Sequence, residues 1–132
     1  LLSTIDTAIG EFQAAMAELE IEDKVTLFTA SDFARTLSSN GGGTDHAWGG
    51  NQIVVGGAVE SGLYGTYPDL GLGSVLDTGR GRLIPTTSVD EYFCDLALWM
   101  GVPPSSIGAV LPNLHRFHHV MDDGAPLGIF GA

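Results

Sequence analysis

An aspartate and a histidine, Asp45 and His46, stand side by side in a stretch made mostly of glycines and small residues. Their carboxylate oxygen and imidazole nitrogen form a donor pair that suits zinc or another first-row divalent metal. Asp32, earlier in the chain, is a third candidate, either as a ligand or as a carboxylate that orients His46. An Asp-His dipeptide also occurs often by chance, so the alternative interpretation is a pair that binds no metal.

Arginines in the same part of the sequence indicate an anion-binding site. Arg35 is suited to clamp a phosphate or sulfate group through its planar guanidinium. The glycines at 41–43 would let backbone N–H groups approach such an anion closely. Arg80 and Arg82, in a later glycine-rich stretch, either face an anionic ligand or tie a long loop to carbonyls and carboxylates. Residue types alone favour the second interpretation for these two arginines.

Three histidines near the C-terminus and a lone cysteine are weaker candidates. The spacing of His115, His118 and His119 would place them on one face of a helix, as metal ligands often are. Glycine and proline nearby oppose a helix, so a solvent-exposed tail is the preferred interpretation. Cys94 lies in a predicted helix interior and is expected to be a buried, inert thiol. Trp48 is expected either to line a pocket or to pack in the core.

The elements that must position these residues begin with a helix and a buried strand. Apolar residues at steps of three and four predict an amphipathic helix over residues 3–20, with Ser3 as its N-cap. β-branched and aromatic runs predict strands over residues 24–30 and 51–59. Residues 31–50, between the two strands, show neither a helical nor a strand pattern of apolar residues and consist mostly of glycine and polar residues. Because ligands bind at the carboxyl ends of strands in open α/β sheets, this stretch is where a site is expected.

The C-terminal half carries clearer helix signals. Ser88 and Glu91 have the spacing of a capping box, which predicts a helix that begins near Val89 and ends at Gly101. A helix followed by a continuous apolar strand, as in the N-terminal half, predicts an α/β fold with a parallel sheet. The remaining segments are predicted as a long loop, a short helical turn and an irregular tail, over residues 61–82, 105–110 and 115–132.

The composition limits the partners that this chain can have. Five basic and sixteen acidic side chains among 132 residues give a net charge of −11 and a pI near 4.3. Such a chain lacks the basic surface that nucleic acids or anionic membranes require, so neither is an expected partner. No apolar run reaches the roughly 18 residues that a membrane span needs. The length fits a single domain of about 100–200 residues.

Several stretches of the sequence closely resemble an uncharacterised bacterial family. It is a domain of unknown function, usually exported and related to sulfatases and alkaline phosphatases. The resemblance covers residues 24–114 and is carried by the Arg35-Thr36 pair and by residues 25–33, 43–50, 65–68, 77–90 and 111–114. It implies that this chain, which begins with leucine, is the C-terminal third of a longer domain.

The resemblance also implies a fold and a site. The fold is a partial α/β/α sandwich of the alkaline-phosphatase or sulfatase type. In that superfamily an Asp-His pair after a core strand binds one of two catalytic metals, and Asp45-His46 matches that position. Phe33 follows Asp32 where catalytic relatives often have a metal-binding histidine, which suggests an incomplete two-metal site. The family usually has glycine after the Asp-His pair, where this chain has Ala47.

Two functional hypotheses follow. The first is the C-terminal part of an exported or periplasmic, metal-dependent hydrolase of phosphate or sulfate esters, with zinc or another divalent metal and Arg35 as the anion clamp. The second is a non-catalytic structural or binding subunit of the cell envelope or of a larger assembly. In both, the remainder of the domain or another subunit is expected to cover the apolar faces of the predicted elements. Both hypotheses also allow the chain to form an oligomer.

Overall fold

A computed structural model describes residues 2–131 as a mixture of short helices and short strands. Helix α1 (Leu2–Glu18) precedes the strands and helix α2 (Val89–Trp99) follows them. The strands are β1 (Thr26–Phe28), β2 (Ala34–Ser39), β3 (Thr44–Ala47) and β4 (Val54–Gly56). Two short α-helices, α3 (Ile107–Val110) and α4 (Val120–Asp123), lie after α2, together with two single-turn 3₁₀ helices, Pro104–Ser106 and Leu114–Arg116. Over residues 2–131, no helix combines the length and the apolar character needed to cross a membrane.

Helix α1 confirms the helix predicted at the N-terminal end of the sequence. Its start differs from the prediction: α1 begins at Leu2, so Ser3 lies inside the first turn, and its assignment as the N-cap is wrong. Phe12 and Met16 are half-buried, whereas Ile5 is 40% exposed. The part of the chain that the structure describes therefore covers only some of the apolar face of α1.

The four strands form two separate antiparallel pairs. β1 pairs with β4, with Leu27 opposite Val55, and β2 pairs with β3. The strands predicted over residues 24–30 and 51–59 are confirmed in shorter form, but the parallel sheet predicted from them is wrong. A parallel pair needs a long crossover, usually a helix, and the chain between β1 and β4 instead forms a β-hairpin. The fold is mixed α/β with small antiparallel sheets.

Residues 31–50 form a hairpin where the sequence pattern indicated no regular structure. Strands β2 and β3 are joined by a tight turn, in which the Asn40 N–H donates to the Gly43 carbonyl at 3.0 Å. The register shifts along β2, and the hydroxyl of Thr36 supplies a replacement partner there: it accepts the Asp45 N–H at 3.1 Å. Thr36 is 3% exposed, so this hydroxyl fixes the position of Asp45 on the hairpin.

Helix α2 begins at the predicted capping box. The Ser88 hydroxyl accepts from the Glu91 N–H at 3.1 Å, and the Glu91 carboxylate accepts from the Ser88 N–H at 2.7 Å. These two bonds satisfy backbone donors that the first turn of a helix leaves unpaired. Gly101, with φ of 89°, follows the helix as predicted.

The main apolar core lies between α2 and the short helices that follow it. Cys94, Ile107 and Leu114 are buried together at its centre. The helical turn predicted over residues 105–110 is confirmed by α3, which supplies Ile107 to this core. Partly buried apolar side chains surround these three, namely Ala97, Leu98, Val102, Leu111 and Val120.

The segment predicted as an irregular tail, residues 115–132, returns to α2. Asp95 on α2 is 2% exposed, and its two carboxylate oxygens accept from the Leu127 N–H at 3.0 Å and the Ile129 N–H at 2.7 Å. Ile129 is itself buried. The segment has little regular structure apart from α4, yet its end packs against the helix through these two hydrogen bonds from backbone N–H groups to the Asp95 side chain.

Candidate anion-binding site

The β2–β3 hairpin carries most of the residues singled out in the sequence. His46 on β3 lies opposite Arg35 on β2 in the antiparallel register. With Thr44, Asp45 and Arg82, these two residues line an open cleft of about 390 Å³. The structure therefore brings Arg35, Asp45 and His46 together and adds Arg82, which lies in the glycine-rich loop.

Asp45 accepts from protein donors on both of its carboxylate oxygens. Oδ1 accepts from the side-chain amide of Asn40 at 2.7 Å. Oδ2 forms an ion pair with Arg80 and lies 3.7 Å from the guanidinium of Arg82. The Asn40 hydrogen bond, followed by the two arginine charges, lowers the pKa of Asp45 below its ordinary value of 3.8, against an upward effect of burial. Asp45 is therefore an ionised carboxylate that already has basic partners.

An aromatic ring supports the other two groups of the cleft. The rings of Phe33 and His46 lie 4.5 Å apart between centroids, and the Arg35 guanidinium lies over the Phe33 ring at 5.2 Å. Arg35 also donates to the Thr44 carbonyl at 3.1 Å. A cation over an aromatic face is weakly stabilised there, so Phe33 helps to hold the guanidinium near the imidazole. Arg35 and His46 remain exposed, so both can contact a ligand.

The glycine-rich loop lies along the edge of β2. The Ser38 N–H donates to the Arg80 carbonyl at 3.2 Å, and the Leu37 N–H donates to the Gly81 carbonyl at 3.3 Å. A Cβ built on Gly81 would lie only 2.5 Å from the Leu37 Cβ, so this close approach requires glycine. The Arg80 guanidinium also donates to the Ser39 carbonyl at 3.1 Å. These contacts bring the arginines of the loop to the hairpin.

Asp77 organises the conformation of this loop. Its Oδ1 accepts from the N–H groups of Gly79 and Gly81, each at 2.8 Å, and its Oδ2 accepts from the Gly73 N–H at 2.8 Å. The hydrogen bonds, led by the one from Gly73, lower the pKa of Asp77 below its ordinary value of 3.8 against an upward effect of burial. A single carboxylate thus gathers backbone donors from both ends of the loop segment that carries Arg80.

The predicted metal ligands do not fit a metal ion by themselves. Both oxygens of Asp45 already have partners, His46 offers one imidazole, and Asp32 is exposed in the loop before β2. Across residues 2–131, no three side chains of the His, Cys, Asp or Glu type come together in an arrangement that could hold a metal. Zinc sites use at least three protein ligands, so the described residues supply too few donors.

The three C-terminal histidines interact with nearby backbone. A ring nitrogen of His115 hydrogen-bonds to the Pro112 carbonyl at 2.9 Å, and one of His118 to the Gly124 carbonyl at 2.8 Å. His119 is exposed and immediately precedes α4. The segment is not one continuous helix, so the spacing of three and four does not place these side chains on a common helical face.

Three other sequence interpretations are resolved by the structure. Cys94 is fully buried, and burial, with a smaller contribution from Asp95, raises its pKa to about 11, which confirms the inert thiol. Trp48 is 61% exposed, so the interpretation that it packs in the core is wrong. Ala47 lies buried in β3 without a positive φ, so alanine is tolerated after the Asp-His pair.

Sequence reasoning did not single out two polar residues that hold the site together, Asn40 and Asp77. Asn40 precedes three glycines and therefore carried the signature of a turn residue that bonds to nearby backbone. Asp77 is followed by Gly79 and Gly81, and this spacing could have indicated an aspartate that bonds to the backbone N–H groups of nearby glycines. Neither signal is periodic, so a search for helix and strand patterns passes over both.

Residues 1–85 match a family described as "Protein of unknown function (DUF1501)". The chain belongs to this family. The residues matched to DUF1501 include α1, all four named strands, and the loop with Arg80 and Arg82. A search of curated proteins and a search of solved structures each found no match. Membership of DUF1501 assigns no activity to the cleft.

Proposed function

We propose that the cleft binds the anionic group of a phosphate or sulfate ester, as part of a hydrolase of such esters. The observation that carries the proposal is a cluster of positive charge. Three of the chain's five basic side chains, Arg35, Arg80 and Arg82, lie around Asp45 in a protein with a net charge of −11. Asp45 offsets one of these charges, and an anionic ligand would offset the others.

Arginine suits this task because of its shape. A planar guanidinium can donate two parallel hydrogen bonds to a phosphate or sulfate group, and its charge remains at any pH at which proteins fold. Arg35 and Arg82 line the cleft directly, so both can contact the ligand. Their positive charge would also stabilise the negative charge that develops on the ester oxygens during hydrolysis. His46, exposed beside them, offers an imidazole for proton transfer.

A divalent metal such as zinc remains part of this proposal as the expected cofactor. The described residues do not fit it alone, because Asp45 is paired with arginine and only His46 and Asp32 remain as further predicted donors. Further ligands would therefore come from the remainder of the domain or from another subunit. No step of the proposed binding by the arginines depends on the metal.

The exposed surface supports the need for such a partner. The described chain exposes 8633 Å², whereas a folded monomer of 13.8 kDa is expected to expose about 6,600 Å². Many large apolar side chains contribute to this surface, among them Phe28, Ile53 and Leu63. We propose that the remainder of the domain or another subunit covers part of it.

The wider relationship is also a proposal. The sequence resemblance supports a link to sulfatases and alkaline phosphatases, a partial α/β/α sandwich of that type, a position in the C-terminal third of a longer domain, and an exported or periplasmic location. The DUF1501 assignment supports an uncharacterised family and is compatible with each of these.

A second function is favoured by one specific observation. The ring of Phe33 packs against His46 at the position where catalytic relatives were expected to have a metal-binding histidine. Together with the occupied carboxylate of Asp45, this contact supports a non-catalytic binding or structural subunit. Such a subunit would still use the arginines to bind an anion.

An assay of ester hydrolysis separates the two functions. The chain is produced with the sequence that flanks it in its gene and is tested on an aryl phosphate and an aryl sulfate, with and without Zn²⁺. We expect turnover of at least one ester, and His46→Ala is expected to reduce it about a hundredfold. His119→Ala, which replaces an exposed histidine of the C-terminal segment, serves as the matched control and should retain full turnover.

The outcomes of this assay are distinct. Sulfate or phosphate binding without turnover would overturn the hydrolase and leave the binding subunit. Turnover that His46→Ala abolishes would overturn the non-catalytic alternative. A protein that neither binds the anions nor hydrolyses the esters would overturn both.

A further inference from the structure

We propose that Asp77 is a positioning residue of the anion-binding cleft, because it holds the loop in the conformation that presents Arg80 and Arg82. This inference rests on the proposed function, and it adds a residue that lies outside the set lining the cleft. Asp77 acts through the backbone of the loop rather than by contact with the ligand.

The geometry around Asp77 is that of an anion-binding backbone nest filled by the protein's own carboxylate. The N–H groups of Gly79 and Gly81 both point at Oδ1, at 2.8 Å each, and the Gly73 N–H points at Oδ2. Backbone N–H groups that converge in a turn form a concave site for a negatively charged oxygen. The carboxylate and the unusual backbone conformation therefore support one another.

The conformation that Asp77 stabilises is strained at Arg80. Three successive residues have positive φ: 113° at Gly79, 63° at Arg80 and 76° at Gly81. Glycine adopts such angles without strain, whereas a residue with a Cβ adopts them only at an energetic cost. Arg80 therefore keeps this conformation only while the surrounding hydrogen bonds hold it.

The same backbone directs both arginine side chains. The left-handed angle at Arg80 points its guanidinium towards Asp45 and the Ser39 carbonyl. Two residues later, the Arg82 carbonyl accepts from the backbone N–H of Thr78 at 3.1 Å and from its hydroxyl at 3.0 Å. Asp77 and Thr78 thus bond to residues on both sides of Arg80: Asp77 to Gly79 and Gly81, and Thr78 to Arg82. The Arg82 side chain lines the cleft.

The experiment measures sulfate affinity by calorimetry at constant ionic strength. Asp77→Asn keeps the size of the side chain but removes its charge and places an amide against the N–H groups. We expect sulfate binding about fivefold to tenfold weaker, since the loss of a charge-assisted arrangement of the arginines is of that order. Asp69→Asn is the matched control in the same loop, because Asp69 accepts a single backbone N–H, from Gly71, at 2.8 Å. It should bind sulfate as the wild type does.

A double-variant comparison separates positioning from a general effect on stability. If Asp77 acts through the arginines, Asp77→Asn should weaken sulfate binding little or not at all in a protein that already carries Arg80→Ala and Arg82→Ala. The same fold-change in both backgrounds would overturn the inference. Unchanged affinity in the single variant would overturn it while leaving the proposed function intact.

A second variant guards against misfolding of Asp77→Asn. Gly79→Ala changes no charge, and a Cβ at this position meets nothing within 4 Å, but alanine disfavours the φ of 113°. It is expected to weaken sulfate binding, whereas Gly62→Ala, in the same loop without a positive φ, should not. Equal affinity of the two variants would overturn the inference. Absence of sulfate binding by the wild type would instead overturn the proposed function on which it rests.

Discussion

Asp45 and Asp77 are two carboxylates that the protein surrounds with its own donors. Asp45 has a side-chain amide and arginines as partners, and Asp77 has three backbone N–H groups. In both cases hydrogen bonding favours the ionised form and lowers the pKa. The groups that remain available to a ligand in the cleft are the exposed Arg35 and His46 and the partly exposed Arg82.

Asp95 allows a direct stability prediction for a single residue. Asp95→Ala removes the acceptor of the Leu127 and Ile129 N–H groups, and the bond from Ile129 is buried. An unsatisfied buried donor costs about 1–3 kcal/mol, so we expect the free energy of unfolding to fall by about 2–4 kcal/mol in a urea titration. Asp122→Ala, an exposed aspartate of α4, is the control and should change it by less than about 0.5 kcal/mol. Equal effects of the two substitutions would contradict this role of Asp95.

At the scale of elements, local sequence signals predicted the helices better than the strands. The side chains of Ser88 and Glu91 bond to each other's backbone N–H, so a stretch of four residues suffices to predict the start of α2. The strands β1 and β4 were also predictable as segments, because each is a short apolar run. Their antiparallel direction was not predictable, because it depends on how the chain between them turns. The spacing of apolar residues carries no information about that turn.

The hairpin and the loop lay beyond pattern-based prediction for physical reasons. In β2 only Thr36 is buried, so the strand shows no alternation of apolar and polar residues. Arg35 and His46 were predicted to share a site because they flank one stretch of sequence, and they do lie opposite one another. The placement of Arg80 beside Asp45 depends instead on Asp77 and on successive positive φ angles, which no hydrophobic pattern records.

The loop should lose its organisation in acid in a way that follows from Asp77. The folded pKa of Asp77 is lower than the ordinary value of 3.8, so its carboxylate stabilises the folded loop fully above that pH. This stabilisation is lost as the pH falls below 3.8 and through the folded pKa. In an NMR titration, the amide signals of Gly73, Gly79 and Gly81 are expected to shift together with a midpoint below 3.8.

The control for this titration is the Asp77→Asn variant. The shared transition of the three glycine amides should disappear in it, because the amide that replaces the carboxylate does not ionise. Three unrelated midpoints in the wild type, or a shared midpoint at or above 3.8, would contradict the role assigned to Asp77.

At the scale of the whole molecule, the distribution of charge is more informative than its sum. A net charge of −11 excludes a general attraction to anions, so long-range electrostatics oppose the binding of sulfate or phosphate. Against this background, three basic side chains around one hairpin form a local exception. The same molecule exposes about 2,000 Å² more surface than expected for its mass. We propose that further protein covers part of this surface around the cleft-bearing hairpin.

Calorimetric titration of the chain with sulfate and with phosphate, at constant ionic strength, shows whether the hairpin cleft binds anions. We predict saturable binding that weakens about tenfold in Arg35→Ala and in Arg82→Ala, because each removes a charge-assisted contact. Arg116→Ala is the matched control, since Arg116 lies after α3, outside the residues that line the cleft, and should leave the affinity unchanged. Absence of saturable binding, or equal weakening by all three substitutions, would contradict an anion-binding cleft at this hairpin.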